Sequence, residues 1–321
     1  MIEIKPFINN YVEDAVKIFT DNYGRLRRDH KELPGKYEKL DSIFSLLKGI
    51  SDNPSAVAIK NGEVVGYMAG YANIKEFKGN NKGVYIPEWG HSSLGNDNKE
   101  DIYYRLYRYL SKEWISMENY THCITYYAND DLLKELFFNL SFGLLVIDGL
   151  RPMVPIEIDR SKDILIRRAK LDDIMDIKRF DKGINAHLSR EPIFLNRGKE
   201  PTIEELKNNF FNKDVITFVA ERQGEMVSAI RAMVGKGPNA KTVQDKGTLG
   251  VNFGYTDPRT RGLDIATNVL AEVINWGIKN GMKHCTVDFE SQNREGKRFW
   301  LRHFEPICHS VIRKVDDRSQ I

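Results

Sequence analysis

Apolar positions along this chain alternate between short extended stretches and longer runs with helical spacing. Ile2 to Lys5 reads as a strand, and Val12 to Tyr23 and Tyr37 to Lys48 read as helices. Val57 to Lys60 and Val64 to Tyr71 then flank Asn61-Gly62, a dipeptide that favours a two-residue hairpin turn. The second half repeats this order. Ile164 to Arg168 predicts a strand, and Leu171 to Phe180 and Ile203 to Phe211 predict helices. The last of these opens with Thr202 and carries Glu205 three residues on, the pattern of a capping box. Thr217 to Glu221 and Met226 to Val234 flank Gln223-Gly224 as a second hairpin. Each half finishes with a strand, a long helix, a strand, a helix and a final strand. In the second half the first of these strands is Thr248 to Tyr255. Its helix is marked by Ile265, Val269, Val273 and Trp276 and runs to about Lys279, and the next strand is His284 to Glu290.

The parallel extends to residue identities. His122-Cys123 recurs as His284-Cys285, an offset of 162 residues (284 − 122). At the same offset Phe137-Phe138 faces Phe299-Trp300 and Phe142 faces Phe304. Gly62-Glu63 likewise faces Gly224-Glu225, and Ile4-Lys5 faces Ile166-Arg167. Separated stretches holding one offset indicate an internal duplication. The expected architecture is therefore α/β: two domains, 1–158 and 163–321, each a mixed sheet flanked by helices, joined near Ile156 to Lys162.

Composition narrows the classes. With 321 residues, 41% apolar and 29% charged, the chain is expected to be a soluble globular protein of two domains. A net charge of +3 is too small to argue for a nucleic-acid partner. The run Tyr103-Tyr104-Arg105-Leu106-Tyr107-Arg108-Tyr109 is accordingly expected to pack on its own sheet rather than stack on bases. Trp89-Gly90-His91 suits a pocket wall or a buried strand end equally. No apolar stretch reaches the length of a membrane span, and the start of the chain carries no signal-peptide pattern. The three cysteines, Cys123, Cys285 and Cys308, are widely spaced; they predict a reducing, cytoplasmic setting and no metal site.

The candidate chemistry lies after Thr248 to Tyr255. Gly254-Tyr-Thr-Asp-Pro-Arg-Thr-Arg-Gly-Leu-Asp-Ile-Ala266 predicts a strand, a short basic loop and a helix start. The first turn of a helix leaves backbone N–H groups free, and its dipole adds positive charge there. Arg259 and Arg261 supply full charge, and Gly262 lets backbone approach a ligand. Such a loop suits a pyrophosphate.

Pro258-Arg-Thr-Arg-Gly-Leu-Asp-Ile-Ala266 resembles the acetyl-CoA signature of the GNAT acyltransferases, Arg/Gln-x-x-Gly-x-Gly/Ala. Arg259 and Gly262 match it; Asp264 stands where a second small residue is expected, and Ala266 replaces a frequent third glycine. A carboxylate there repels a pyrophosphate unless it caps the helix or points away. Asn293-Arg-Glu-Gly-Lys-Arg-Phe-Trp-Leu-Arg-His-Phe304 resembles the family's last segment, where an Asn begins a helix and an aromatic pair follows. The element order matches as well, so the chain is similar to a tandem GNAT protein.

The resemblance implies acetyl-CoA as co-substrate, bound where two parallel strands splay apart. Gly254 to Thr256 would pair with its pantetheine arm, and Arg259, Thr260, Arg261, Gly262, Leu263, Asp264, Ile265 and Ala266 would take its pyrophosphate. Asn293 would approach the pantetheine, or cap the last helix, and Phe299 belongs to the aromatic pair beside it. In the first copy the matching offset lands on Lys99 and Glu100 within Asn96 to Asp101, a run with three carboxylates that is hostile to a diphosphate. The active site is therefore expected in the second copy alone.

Transfer to an amine asks for a base and for a donor to the leaving thiolate. Asp288 and Glu290, two apart on one strand, share a face opposite Val287 and Phe289 and are the candidate bases. A salt bridge or a solvated strand end explains them equally. The family's usual thiolate donor is a Tyr in the last helix; here Trp300 stands in its place, which moves the role to Tyr255 or His303. His187 and Arg190 lie where an acceptor-contacting loop would fall. The expected activity is acetyl-CoA-dependent N-acetylation of a small-molecule or peptide amine. The alternative is a non-catalytic acyl-CoA-binding or interaction protein.

Overall fold

Asn61 and Gln223 both take the left-handed conformation, at φ 54° and 53°, and each precedes a glycine at φ 87° and 82°. The two hairpins thus turn in the same way, through the pair of positive φ values that a two-residue type I′ loop requires. The computed structural model describes residues 1–50, 53–95, 97–159, 163–235 and 240–318. Asn96, in the acidic run above, and residues 160–162 of the expected linker lie outside them.

The first half contains β1 (Ile2–Pro6), α1 (Val12–Asp29), α2 (Leu40–Lys48), β2 (Ala56–Lys60), β3 (Glu63–Met68), β4 (Tyr71–Ile74), β5 (Lys82–Ile86), β6 (His91–Ser93), α3 (Lys99–Ser116), β7 (Asn119–Tyr127), α4 (Asp131–Asn139) and β8 (Gly143–Pro152). The second contains β9 (Ile164–Arg168), α5 (Ile174–Leu188), α6 (Ile203–Phe211), β10 (Val215–Arg222), β11 (Glu225–Val234), β12 (Thr248–Thr256), α7 (Ile265–Lys279), β13 (His284–Glu290), α8 (Arg294–His303) and β14 (Glu305–Lys314). The duplicated residues occupy matching elements: His122-Cys123 and His284-Cys285 lie in β7 and β13, and the aromatic pairs lie in α4 and α8.

Three helices differ in their boundaries from the sequence reading. α1 runs past Tyr23 because Leu26 extends its buried stripe of Ala15, Val16, Phe19 and Tyr23. Tyr37 sits in a separate 3-10 turn, Gly35–Glu38, before α2. Leu171–Asp173 is also a 3-10 turn, where Arg167 reaches both Asp173 oxygens at 2.7 and 2.8 Å, and α5 continues beyond Phe180 to Leu188. α6 has the predicted span and capping box, with Glu205 N donating to Thr202 Oγ1 and Thr202 N to Glu205 Oε2.

The chain packs as two compact units, Met1–Ile147 with Ala240–Val243 and Pro306–Ile321, and Asp148–Asn239 with Gln244–Glu305. They depart from the sequence division at 158 and 163 in the last strand of each copy and in Ala240–Val243. β14 pairs antiparallel with β7 of the first unit, Cys308 opposite Tyr127 and Lys314 opposite Thr121. The end of β8 from Asp148 belongs to the second unit, next to β13.

In the first unit β5 pairs in parallel with β7, and the strand then breaks at Pro87–Gly90 before β6 turns to pair with β3. That break is filled by protein. The carboxylate of Glu88, 1% exposed, accepts from Thr242 N at 2.7 Å and from Thr242 Oγ1 at 2.9 Å. Tyr127 Oη meets Thr242 Oγ1 at 2.8 Å, Tyr23 donates to the Thr242 carbonyl at 2.9 Å, and Tyr37 to that of Lys241 at 2.6 Å. The short turn Lys241–Val243 thus lies held between α1, the strand break and the end of β7. Burial pushes the Glu88 carboxyl up, against the pull of the Thr242 hydrogen bonds. Replacing Thr242 with valine keeps the shape and removes one of these donors, so unfolding by denaturant is expected to show a loss of about 1–3 kcal/mol. An unchanged midpoint would refute the clasp.

Trp89 and His91 belong to the same interior. His91 Nδ1 meets Tyr103 Oη and its Nε2 meets the Thr125 carbonyl, each at 2.8 Å, so the pair is core rather than pocket wall. Tyr103 and Tyr107 are buried on α3, as the aromatic run predicts.

Candidate active site

In the second unit the sheet runs β13-β12-β11-β10-β9, and β12 and β13 are its parallel pair. They pair only over Thr248–Val251 opposite His284–Val287. At the next residue β12 bulges: Ala232 of β11 faces Val251 and Arg231 faces Phe253, so Asn252 is left over. The bulge twists β12 away from β13. Between the splayed ends opens a cavity of about 560 Å³, within the range that takes a small-molecule ligand.

Most expected residues line it. Gly254, Tyr255 and Thr256 come from β12; Thr260, Arg261, Gly262, Asp264, Ile265 and Ala266 from the loop and the start of α7; Asp288 and Glu290 from β13; Asn293 and Phe299 from α8. Trp300 lines it too, close enough to β12 that a Cβ on residue 254 would stand 3.1 Å from its Cζ2. A side chain at 254 would therefore press on the Trp300 ring. Tyr255 lies across α5, with Phe180 5.1 Å away between ring centres. A Cβ on Gly183 would come within 2.5 Å of its phenol, so Gly183 leaves the space that ring occupies.

Arg259, Leu263 and His303 stand off the cavity. Arg259 folds back on Asp257, donating from Nε at 3.1 Å and from Nη2 at 2.9 Å, because Asp257 already accepts from the Arg259 backbone N–H at the turn. Leu263 points outward, 47% exposed. His303 packs 5.1 Å from Phe299 between ring centres and 3.5 Å from Thr267 Oγ1; burial, with Arg151 and Arg302 near, lowers it to about 4.

The anion-binding features are concentrated at α7. Asp264, its N-cap, takes the left-handed conformation at φ 53° and makes no capping hydrogen bond. Its carboxylate turns toward Arg302, 3.8 Å away. The first-turn N–H groups of α7 therefore have no side-chain cap, and Gly262 reaches φ 80°, which glycine adopts without strain. Arg261 donates to the Thr256 carbonyl at 3.2 Å and to Glu295 of α8 at 2.7 Å. Replacing Asp264 with glycine removes both the unfavourable backbone state and a negative charge. If the cavity takes the acetyl-CoA expected from the sequence, its affinity by calorimetry should rise about three- to tenfold. Equal or weaker binding would show that the carboxylate serves the site through Arg302.

Asn293 fills the capping role and one more. Its Oδ1 accepts from Gly296 N at 3.2 Å and meets His187 Nε2 at 3.1 Å. His187 was placed near the site by position alone; the structure brings it into the cavity wall with Ile184, Leu188 and Arg197, while Arg190 stays out. Asn252, Arg197, Arg298 and Arg302 are wall residues that sequence reasoning missed. Asn252 is exposed to the cavity by a bulge that no residue type announces, and Arg197 sits in an irregular loop. Arg298 and Arg302 are four apart on α8 and share a face, a signal that spacing does carry.

Among the described residues no helix is long and apolar enough to cross a membrane, and no group of three or more His, Cys, Asp or Glu is placed to hold a metal ion. The three cysteines form no disulfide and are buried, and burial pushes Cys123 and Cys285 up to about 12.

No protein-family model and no curated protein matches the sequence. Solved structures match in fold. With a GCN5-related N-acetyltransferase from Sphaerobacter thermophilus the match covers 100% of this chain and 97% of that one, at TM-score 0.59 and 11% identity. A tandem GNAT protein from the clavulanic acid biosynthesis pathway is covered 100% on both sides, at TM-score 0.52 and 9% identity. A glucosamine N-acetyltransferase region of a fungal multi-domain β-N-acetylglucosaminidase matches 97% of this chain over 38% of its own, at TM-score 0.56 and 11% identity. Two copies of one element order, a parallel pair splayed at a bulge and these likenesses lead to one statement of architecture: the chain has the tandem GNAT fold.

Proposed function

We propose that the protein is an acetyl-CoA-dependent N-acetyltransferase whose active site is the cavity between β12 and β13 of the second copy. The observation that carries this reading is the position of that cavity: the uncapped start of α7, with Arg261 and Gly262, borders one side, and the carboxylates of Asp288 and Glu290 border another. The donor set fits the proposed co-substrate. Backbone N–H groups at a helix start and a guanidinium suit a pyrophosphate, and the free edge of β12 from Gly254 to Thr256 suits the amides of a pantetheine arm.

In the reaction, the acceptor amine loses a proton and attacks the thioester carbonyl carbon; the C–N bond forms and the C–S bond breaks. Glu290 takes a proton from the attacking nitrogen, and Asp288 helps hold the ammonium before it is lost. Tyr255 supplies the proton taken up by the coenzyme A thiolate, because the indole of Trp300 is too weak an acid for that role. The products are an N-acetylated amine and free coenzyme A. His303 takes no part, since it does not reach the cavity.

In the first copy, the elements that correspond to α5, the bulge and the end of β13 clasp Lys241–Val243. Lys99, at the start of α3, is paired with Asp130. One acetyl-CoA site per chain is therefore expected.

Trp300 and Asp264 favour the second reading, a protein that binds acyl-CoA without transferring it. Release of free thiol from acetyl-CoA, followed with and without an amine library, separates the two. Amine-dependent release supports the transferase; saturable binding with no release supports the binding protein; absence of binding removes both.

A further inference from the structure

The acceptor side of the cavity has a charge arrangement of its own. Along α5, Ile177, Asp181, Ile184 and Leu188 are spaced four, three and four apart and share one face. Ile184 and Leu188 line the cavity, and Asp181 is on the same face, 4% exposed, with Oδ2 lacking any hydrogen-bond partner. Facing it from β11 is Arg231, whose Nε donates to Asn252 Oδ1 at 3.1 Å and whose guanidinium lies 5.1 Å from the centre of the Phe253 ring. The bulge at Asn252 links this arginine to the cavity wall. Arg197, from the loop after α5, lines the cavity directly and donates to Asn185 Oδ1 at 3.3 Å.

Arg197 thus brings a guanidinium to the cavity wall and Arg231 stands behind Asn252, while the buried Asp181 carboxylate feels both charges. Burial pushes Asp181 up and Arg231 down from their ordinary values. Glu200, the other nearby acid, lines an outer hollow beside Arg197 and not the cavity. Asp288 and Glu290 of β13 line the same cavity. The wall therefore offers an acceptor both signs of charge, a guanidinium from Arg197 and carboxylates from β13.

We propose that the acceptor carries a carboxylate beside the amine that is acetylated, that Arg197 binds this carboxylate, and that Arg231 supports it through Asn252. This rests on the transferase reading above. A bidentate guanidinium–carboxylate contact suits Arg197 at the mouth, and it leaves the ammonium directed at Asp288 and Glu290. A polycationic amine would instead bring a second positive charge against Arg197.

The test compares each of a set of amino acids with its own carboxamide as acceptor, using saturating acetyl-CoA, in the native protein and in Arg197→Gln. The free acids are expected to show kcat/KM higher by about tenfold or more, the effect of one charge-assisted hydrogen bond. Arg197→Gln should remove that preference, lowering kcat/KM for each free acid at least about tenfold more than for its carboxamide. Carboxamides or diamines accepted as well as the free acids, in a protein that transfers acetyl groups, overturn the proposal. So does an Arg197→Gln variant that loses both members of each pair equally. If no amine is acetylated at all, it is the transferase reading that fails, and calorimetry with acetyl-CoA shows whether the binding site survives that failure.

Discussion

Reversing the charge at Arg261 and filling Gly262, as Arg261→Glu with Gly262→Asp, is expected to weaken acetyl-CoA binding at least about 100-fold while the protein stays folded. Two carboxylates would then face a diphosphate where the native loop offers a guanidinium and open backbone. Arg261, paired with Glu295 at 2.7 Å, is the cation of the loop that lines the cavity, whereas Arg259 folds back on Asp257 away from it. Arg259→Glu is consequently expected to have a far smaller effect on binding than Arg261→Glu. Nothing lies within 4 Å of a Cβ at position 262, and aspartate tolerates the left-handed conformation better than most residues, so thermal unfolding should move little. Calorimetry on the native protein should give one site per chain, lost in the double variant. Two sites, or native-like binding in the variant, would refute the assignment to the second copy.

Replacing Glu290 with glutamine is expected to lower kcat about 10²- to 10⁴-fold, the usual contribution of a general base, with acetyl-CoA affinity unchanged. The substitution keeps the size of the side chain and removes its basicity. Glu290 sits at the last position of β13, half-buried, beyond the point where β12 has left its partner. The split between kcat and binding is the informative readout. Equal loss of both would identify a structural role, and an unaffected rate would shift the base to Asp288, which shares its face.

Much of this was readable from residue order. The helix beginning at Ile265 was marked by its apolar spacing, the capping box of α6 by Thr202 and Glu205, and both hairpins by Asn61-Gly62 and Gln223-Gly224. Each is a local feature, set by the φ preference of one or two residues or by the period of one element. The cavity residues contributed by β12, β13 and the intervening loop were legible for the same reason: strand alternation puts Asp288 and Glu290 on one face whatever they pack against.

What spacing does not encode is which partner an element meets. Arg259 and Arg261 are indistinguishable as charges in a loop; the carboxylate of Asp257 takes one and leaves the other in the cavity wall. His303 is one turn beyond Phe299 in sequence, yet α8 packs it behind Phe299 and Thr267, which line the cavity in its place. The internal offset makes β8 and β14 equivalent by pattern, since Phe142 and Phe304 open both, so nothing in their residues states which unit each completes. Packing answers it, placing β14 against β7 and the end of β8 beside β13. The burial of Glu88 under Thr242 joins residues 154 positions apart, and the bulge at Asn252 depends on its register with β11. Local backbone and side-chain preferences therefore specify the elements, their order and the duplicated plan. Long-range pairing, which rewards surface complementarity rather than any local period, selects the strand partners, fills one notch and leaves the other open.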